Sequence, residues 1–565
     1  MRRPIALLLA ASFAVTVSSP AARWQAAKRP LGPADIEAIT QLVKLEDTRR
    51  LDEAMLSKIL QSAHPEVRRR AVITVGRIVD PRSPALLIPM RNDPDLEVQA
   101  SVAFASGQLK SADAVAWLGE VLSSPKTPQA VAFEAARALG KIRSAEARAA
   151  LEKYLTEAPA AVAPVVGEAL LSIGRFTPPA DVAPIARWVA ATDVGVRWRA
   201  AWALFRPRDP AAIPHLLKLI TDKSGEVRFW AVRGLAPAVV DKSSTNRAAA
   251  SARLREAMKD PDRRVRTEAL RALTAYDDDE SFAVMLAALD SPDTWLSVSA
   301  AEAMGRFQVR KDVVVPKLLA ATGSTHPLSL RVAALAPLAA LAPEAAVGPA
   351  EALLHEQSIV ARTAAAQALR ASAAGRARLE ALAADPATQS LVPAAGGGRG
   401  RAGAPPRPAK EDAEYRHIVE QWIVPDYNGA PKPRVILETP RGTIEIELYA
   451  GDAPMGVEYL QGVVRSGAIV GTEFGRVVPN FVAQQRAIAG DAPLRDEVSR
   501  RGLTRGNLSW ASSGLDTGRP GYTLGNTPQP HNEGDFTALG RVIRGLDVVD
   551  HLELCDRITG ARMVR

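Results

Sequence analysis

The chain carries two hydrophobic rhythms. From about residue 34 to 375 one pattern recurs: a turn with Asp, Pro or Ser, an aliphatic residue often followed by Arg, then an Ala-rich amphipathic run closing on Leu or Ile. HPEVRRRAVITVGRI, DPDLEVQASVAFASGQL, AVAFEAARALGKI and DPDRRVRTEALRALTAY are instances. Its register is marked by Val67, Val98, Val131, Val165, Val196, Val227, Val265, Leu296, Leu330 and Val360, whose successive separations run from 30 to 38 residues. A unit of that length holds two antiparallel helices of about 11 to 12 residues and two turns. Each pair can bury its apolar face only against its neighbours, so the prediction is one curved α-solenoid over residues 34–390. From Arg434 the period drops to two. VILET and TIEIELY flank a turn at Pro440, Arg441 and Gly442 and predict a hairpin. MGVEYLQGVVRSG predicts an amphipathic helix, and EFGRVVPNFVAQQ a further strand pair. Strands on both sides of a helix argue for a closed or nearly closed β structure plugged by that helix.

Between the two rhythms, VPAAGGGRGRAGAPPRPAKEDAE lacks any apolar period and predicts a mobile linker over 391–412. A short helix from Ala413 to Trp422 is expected to open the C-terminal unit, 413–565, whose core is 434–558. At the other end, MRRPIALLLAASFAVTVSSPAA has two arginines, an apolar run and small residues, the layout of a secretory signal over residues 1–22. Cleavage near Arg23 would give a periplasmic or secreted chain with no membrane span. Uncleaved, the same run would serve as an anchor, although it is short for a bilayer.

Composition narrows the choices. The 565 residues are 47% hydrophobic but only 5% aromatic, the stock of helix-on-helix packing. The net charge of +9 comes from arginines scattered at helical spacing and not interleaved with aromatics, so no nucleic-acid partner is indicated. Cys555 is the sole cysteine, which excludes an intrachain disulfide. The repeats contain no metal-ligand spacing, phosphate loop or nucleophile elbow, so catalysis is not expected from them.

The repeated residues resemble HEAT repeats, the PBS-lyase-type variety included. Tetratricopeptide landmarks are absent, and armadillo-like units stay open. Asp93, Asp222 and Asp260 are expected at the turns as helix N-caps. Arg68, Arg197, Arg228 and Arg266 either form a ladder between successive turns or sit solvated. The resemblance implies a surface that binds a protein partner.

In the C-terminal unit, ILETPRGTIEIELYAGDAP, GTEFGRVVPNFVAQQ, GNLSWASSGLDTGRPGYTLGN and FTALGRVIRGLDVVDHL follow in order. As a set they resemble a cyclophilin-type peptidyl-prolyl cis-trans isomerase over about 434 to 558. The resemblance implies an eight-stranded barrel capped by two helices, proline-containing polypeptide clients, and no metal or organic cofactor. It places the catalytic arginine at Arg476, the aromatic that packs on the proline ring at Phe481, and the amide that holds substrate backbone at Gln484. Val482, Ala511, Tyr522, Thr523, His531 and Phe536 fall on substrate-binding positions. Several depart from the family: Thr523 replaces a pocket phenylalanine, His531 a Trp or Phe, Asn532 a leucine and Phe536 a histidine. Such walls imply a shallower, wetter pocket. The alternative is a non-catalytic scaffold whose degenerate domain only binds Pro-containing peptides.

Overall fold

The computed structural model describes residues 29–159, 162–176, 181–240, 244–274, 276–393, 407–488 and 492–564. The signal expected at 1–22 and residues 394–406 of the expected linker lie outside them. No helix among the described residues is long and apolar enough to cross a membrane.

Paired helices run from Pro33 to Ala384. The register residues are the reason they stack: Val67, Val98, Val227 and Val265 are fully buried, and the rest of the set is buried apart from half-buried Val360. The second helix of each pair packs on the second helix of the next. This makes a continuous inner row from Pro65–Ile78 through Gln129–Ile142 and Arg263–Leu273 to Ile359–Leu369. Small residues let the row close up. A Cβ added at Gly107 would come within 2.7 Å of the Ala138 backbone, and one at Gly140 within 2.5 Å of Ser172. Larger residues there would force the inner helices apart.

The arginines form a ladder. Arg68 pairs with Asp93 at 2.7 Å, Arg197 with Asp222 at 2.8 Å, Arg228 with Asp260 at 2.7 Å and Arg266 with Asp293 at 2.9 Å. This corrects the expected role of three aspartates. Asp93, Asp222 and Asp260 sit two residues before the N-caps, where each carboxylate accepts the amide of Asp95, Ser224 or Asp262 and takes an arginine from the preceding repeat. Asp95 and Asp262 do the capping. The extra residues let one carboxylate close a turn and bind the neighbouring unit together.

The C-terminal unit contains β1 (Arg434–Thr439), β2 (Gly442–Leu448), β3 (Phe474–Val478), β4 (Val482–Gln485), β5 (Asn507–Ala511), β6 (Arg519–Gly525), β7 (Ala538–Arg544) and β8 (Gly560–Val564). All pairings are antiparallel, in the order β3-β4-β6-β5-β7-β2-β1-β8. The sheet curls until its ends meet. Gly471 N donates to Ile558 O at 2.7 Å and Phe474 N to Asp556 O at 2.8 Å, joining the start of β3 to the segment leading into β8. Inside lie Val435, Ile446, Phe474, Ala483, Tyr522, Leu524 and the helix Pro454–Arg465, which plugs the barrel as its pattern predicts.

The barrel does not hang from a tether. It is held by the inner row along its whole length. Near the beginning, Arg49 pairs with Asp516 at 2.5 Å; near the end, Ser329 donates to Glu553 at 2.5 Å and Ser358 to Glu473 at 2.9 Å. Contacts at both ends and the middle mean that the solenoid curves around the barrel. The helical segment Asp412–Tyr427 joins the two cores. Tyr415, Val419 and Ile423 are buried among the first repeats, while Ile418 and Trp422 are buried in the barrel.

Much of this grip uses main-chain acceptors. Arg77, 8% exposed, donates to Val498 O at 2.8 Å, Asp452 O at 2.7 Å and Glu497 O at 3.2 Å, and also binds Glu46 at 2.6 Å. An Arg77→Met chain leaves three carbonyls and a carboxylate without this donor. We expect urea unfolding to show a loss of about 3 kcal/mol, as for removal of one partner of a buried ionic contact. A change below about 0.5 kcal/mol, the size of an ordinary surface substitution, would show that water serves those carbonyls equally well.

Candidate active site

The site grows out of cross-strand register. Arg476 on β3 faces Gln484 on β4, Gln484 faces Thr523 on β6, and Thr523 faces Ser509 on β5. Directly opposed residues share a sheet face, so these four form one polar row across the outside of the barrel. Arg476 Nη1 donates to Gln484 Oε1 at 3.3 Å, and the Ser509 and Thr523 hydroxyls lie 2.8 Å apart. Val482, two residues before Gln484 on the same face, is buried beside this row.

Phe481 ends the turn between β3 and β4. The Arg476 guanidinium lies 5.3 Å from its ring centroid, and the His531 ring stacks on it at 5.8 Å. Arg476 and His531 are exposed, while Phe481 and Gln484 are half-buried, so the group forms an open shelf. No carboxylate pairs with Arg476 among the described residues. Partial burial draws its pKa below the ordinary arginine value, which leaves it charged.

The structure therefore brings Arg476, Phe481, Gln484, Val482, Thr523 and His531 together. It does not do so for Tyr522. Adjacent to Thr523 and hence on the opposite face, Tyr522 is 2% exposed in the barrel core, where its hydroxyl finds no partner among the described residues. It cannot line the pocket, because strand alternation turns it inward. Ala511 ends β5 beyond a bulge and is half-buried, near enough to the row to present backbone. Phe536, half-buried in the turn before β7, makes no ring contact with Phe481.

Sequence reasoning missed what holds the shelf. Asn480 is fully buried at φ +61°, a conformation that asparagine tolerates better than most residues. Its side-chain amide donates to Arg264 O at 2.8 Å and Glu268 at 3.2 Å, while Arg271 donates to Pro479 O at 2.9 Å. All three partners are on the inner helix Arg263–Leu273. From inside the barrel unit, Gln529 donates to Phe481 O at 3.2 Å. Across the shelf, Arg175 donates to Pro530 O at 2.5 Å, and Lys141 to Gly534 O at 2.5 Å. The buried asparagine before Phe481 was the one local sign of this clamping.

The same solenoid wall sets the charge of His531. His531 is exposed at the rim, yet the partial desolvation it meets against the solenoid first, then the positive fields of Arg206, Arg233 and Arg175, push its imidazole down to about 4. A neutral ring can stack on Phe481, which Arg476 also contacts, without repelling that guanidinium. Between about pH 6.5 and 4 the unfolded chain binds a proton here that the folded chain refuses. This part of the stability is therefore intact above pH 6.5 and declines as pH falls toward 4. NMR titration should find His531 neutral at pH 5, and His531→Phe should flatten stability over that window. An ordinary midpoint near 6.5 would contradict the account.

Known proteins share sequence with both parts of the chain. The family model for cyclophilin type peptidyl-prolyl cis-trans isomerase/CLD matches residues 434–564, and that for HEAT repeats matches 83–163, 163–236 and 223–305. A peptidyl-prolyl cis-trans isomerase of Synechococcus elongatus is 31% identical over 139 residues, covering 23% of this chain and 96% of its own length. Peptidyl-prolyl cis-trans isomerase B of Bacillus subtilis is 31% identical over 128 residues, 21% of this chain and 90% of its own. A solved cyclophilin type isomerase of Cryptosporidium parvum covers 24% of this chain and 98% of that one at 19% identity and a TM-score of 0.23. With a solenoid of HEAT repeats before it and a barrel of this sequence and register, the chain belongs to the cyclophilin-type peptidyl-prolyl cis-trans isomerase family.

Proposed function

We propose that this chain isomerises Xaa-Pro bonds in exported polypeptides, using the shelf formed by Arg476, Phe481, Gln484 and His531. The observation that carries this reading is the Arg476 guanidinium, with no carboxylate partner among the described residues, poised beside the Phe481 ring and oriented by Gln484. Rotation about the imide bond meets a barrier of about 18 to 20 kcal/mol because the amide is conjugated. No bond is broken and no proton need move. When the imide twists, the prolyl nitrogen recovers a lone pair that accepts a hydrogen bond. Arg476 spends one N–H on Gln484 and keeps others for that nitrogen, a bond that strengthens as the twist develops. The proline ring lies against Phe481, with His531 as the adjoining wall. Gln484 holds the client backbone through its free amide hydrogens.

Thr523 favours a second reading, a domain that binds proline segments without turning them over. A hydroxyl pair at the floor is wetter than an aromatic ring and weakens the field at Arg476. The full-length protein decides. In a protease-coupled assay of a proline peptide, Arg476→Ala should lower kcat/KM at least tenfold, a loss of about 1.4 kcal/mol or more. Equal rates would leave the binding role alone.

The inner row is taken up by the barrel, so a protein partner of the repeats would meet the outer row. Exposed Val309, Val313 and Leu319 there supply an apolar surface. Export rests on the Arg2, Arg3 and apolar layout of residues 1–22. Mass spectrometry of the protein from its own cells should find a mature terminus near Arg23. Retention of Met1 would remove the cleaved signal and leave the anchor reading of the same run.

A further inference from the structure

Counting ten residues on from the register valines Val67, Val131, Val165 and Val196 leads to Arg77, Lys141, Arg175 and Arg206, a basic residue at or just past the C-terminal end of its inner helix. Three of them hold the barrel. Arg77 donates to Val498 O, Lys141 to Gly534 O and Arg175 to Pro530 O. Arg206 has the same place in its repeat, yet it is exposed, and its guanidinium makes no hydrogen bond or ion pair among the described residues; the Trp202 ring supports it from 5.5 Å. We propose that Arg206, with Arg233 beside it, is a subsite for the client chain that takes the side-chain carboxylate of a glutamate or aspartate near the proline held at Phe481. The proposal rests on the shelf being where the client binds.

The fold ties both arginines to the shelf. The inner helices Ala163–Ile173, Val194–Phe205, Gly225–Gly234 and Arg263–Leu273 pack in that order. The first reaches the shelf on its His531 side, through Arg175 and the carbonyl of Pro530. The last reaches it on its Phe481 side, where Arg271 donates to Pro479 O and Glu268 accepts the Asn480 amide. His531 and Phe481 stack with ring centroids 5.8 Å apart, so the two helices between these anchors face the stacked pair. Those helices end at Arg206 and Arg233. Arg233 lies 5.6 Å from the centroid of the Phe205 ring, next to Arg206, and its Nε is 3.6 Å from Glu268, the carboxylate that holds Asn480. In keeping with this placement, the positive field at His531 comes from Arg206 first, then from Arg233 and Arg175.

The charge of this wall selects the client side chain. Arg175 has Glu168 and Glu533 near it, and Arg233 has Glu268. The charges that act most strongly on Arg206 are those of Arg175, Arg208, Arg233 and Arg143, all positive. A helix C-terminus attracts a cation, which explains why one arginine is tolerated there but supplies no acid to pair with it. A carboxylate arriving at Arg206 relieves the repulsion, and the guanidinium fork can take it with two parallel hydrogen bonds. A client lysine would meet the same repulsion instead.

The test uses the full-length chain and acetylated, amidated peptides with an Ala-Pro centre, in which the only carboxylate is a side chain. Glu, Gln or Lys is placed in turn at the second and third residues before and after the proline. Isothermal titration calorimetry should show Glu binding at least fivefold tighter than Gln at one or more of these places, with Lys weaker than Gln there and the Glu advantage shrinking as salt is raised. Arg206→Gln should bring the Glu-to-Gln ratio within twofold, while Arg206→Lys, which keeps the charge, should keep most of the preference. Arg253→Gln removes a charge from an exposed position on the outer helix Ser244–Ala257 and should leave the ratio as it was. Equal binding of Glu and Gln at all four places overturns the proposal, as does a preference that Arg206→Gln leaves intact. So does a Glu peptide that binds as tightly with Ala in place of its proline, because the arginines would then be a general anion site. A Glu preference that depends on both the proline and Arg206, in a chain without isomerase activity, upholds the subsite while the catalytic reading fails. Activity without any Glu preference does the reverse.

Discussion

Arginine donating to main-chain oxygen is the interaction on which this architecture depends. A barrel of this kind ends its strands in loops whose carbonyls point outward, and in isolation those oxygens would be hydrated. Here Arg77, Arg137, Arg175, Arg263 and Arg271 reach them from the inner row. Each guanidinium has five donors and no acceptor, so a single side chain can take two or three carbonyls and still meet a carboxylate. A hydrogen bond from a charged donor contributes about 1.5 to 3 kcal/mol, roughly twice the neutral kind. Repeated along an arc, a modest contact becomes a clamp.

The clamp limits how much charge it buries. Glu533 and Glu497, both on loops facing the arginines, are held up to about 7 by burial, which outweighs the nearby cations. Glu497 still accepts the Met455 and Gly456 amides at 3.0 and 2.7 Å, ordering the start of the plugging helix. Arg137 sits among Glu134, Glu168 and Glu533, and its own positive charge is favoured there. Acids and arginines thus alternate through the interface. Around Arg137 the two signs offset each other, which is the condition for buried ionic groups to persist.

Much of the fold was legible because it rests on periodicity. The valine register named the helix pairs, and alternation in RVILET and TIEIELY named the hairpin. The arginine ladder was one of two open readings, and the aspartates were placed two residues wrongly, because an Asx turn and an N-cap use the same residue type. The family resemblance named Arg476, Phe481 and Gln484, and the fold brings these three side chains together. Tyr522, expected to keep an aromatic near the pocket beside Thr523, is turned into the core by strand alternation. The docking had no signature at all. Many of its acceptors are backbone carbonyls, which every residue possesses, and many of its donors are arginines indistinguishable in sequence from those on a solvated face.

That hidden contact also bears on the shelf around Phe481. Phe481 lies on a turn of a few residues, and a turn with a fully buried asparagine at positive φ would not hold its place alone. The inner helix Arg263–Leu273 fixes it through Asn480 and Pro479 on one side, and Gln529 fixes it on the other. A hydrogen bond from Arg476 to a twisting imide helps only if the ring that seats the proline is already in position, since energy spent on ordering it is lost from the transition state. On the proposed mechanism, the solenoid supplies this preorganisation. The repeats then act less as a carrier bringing an independent enzyme to its clients than as the missing outer wall of the enzyme itself, compensating in rigidity for the aromatic lining that Thr523 no longer provides.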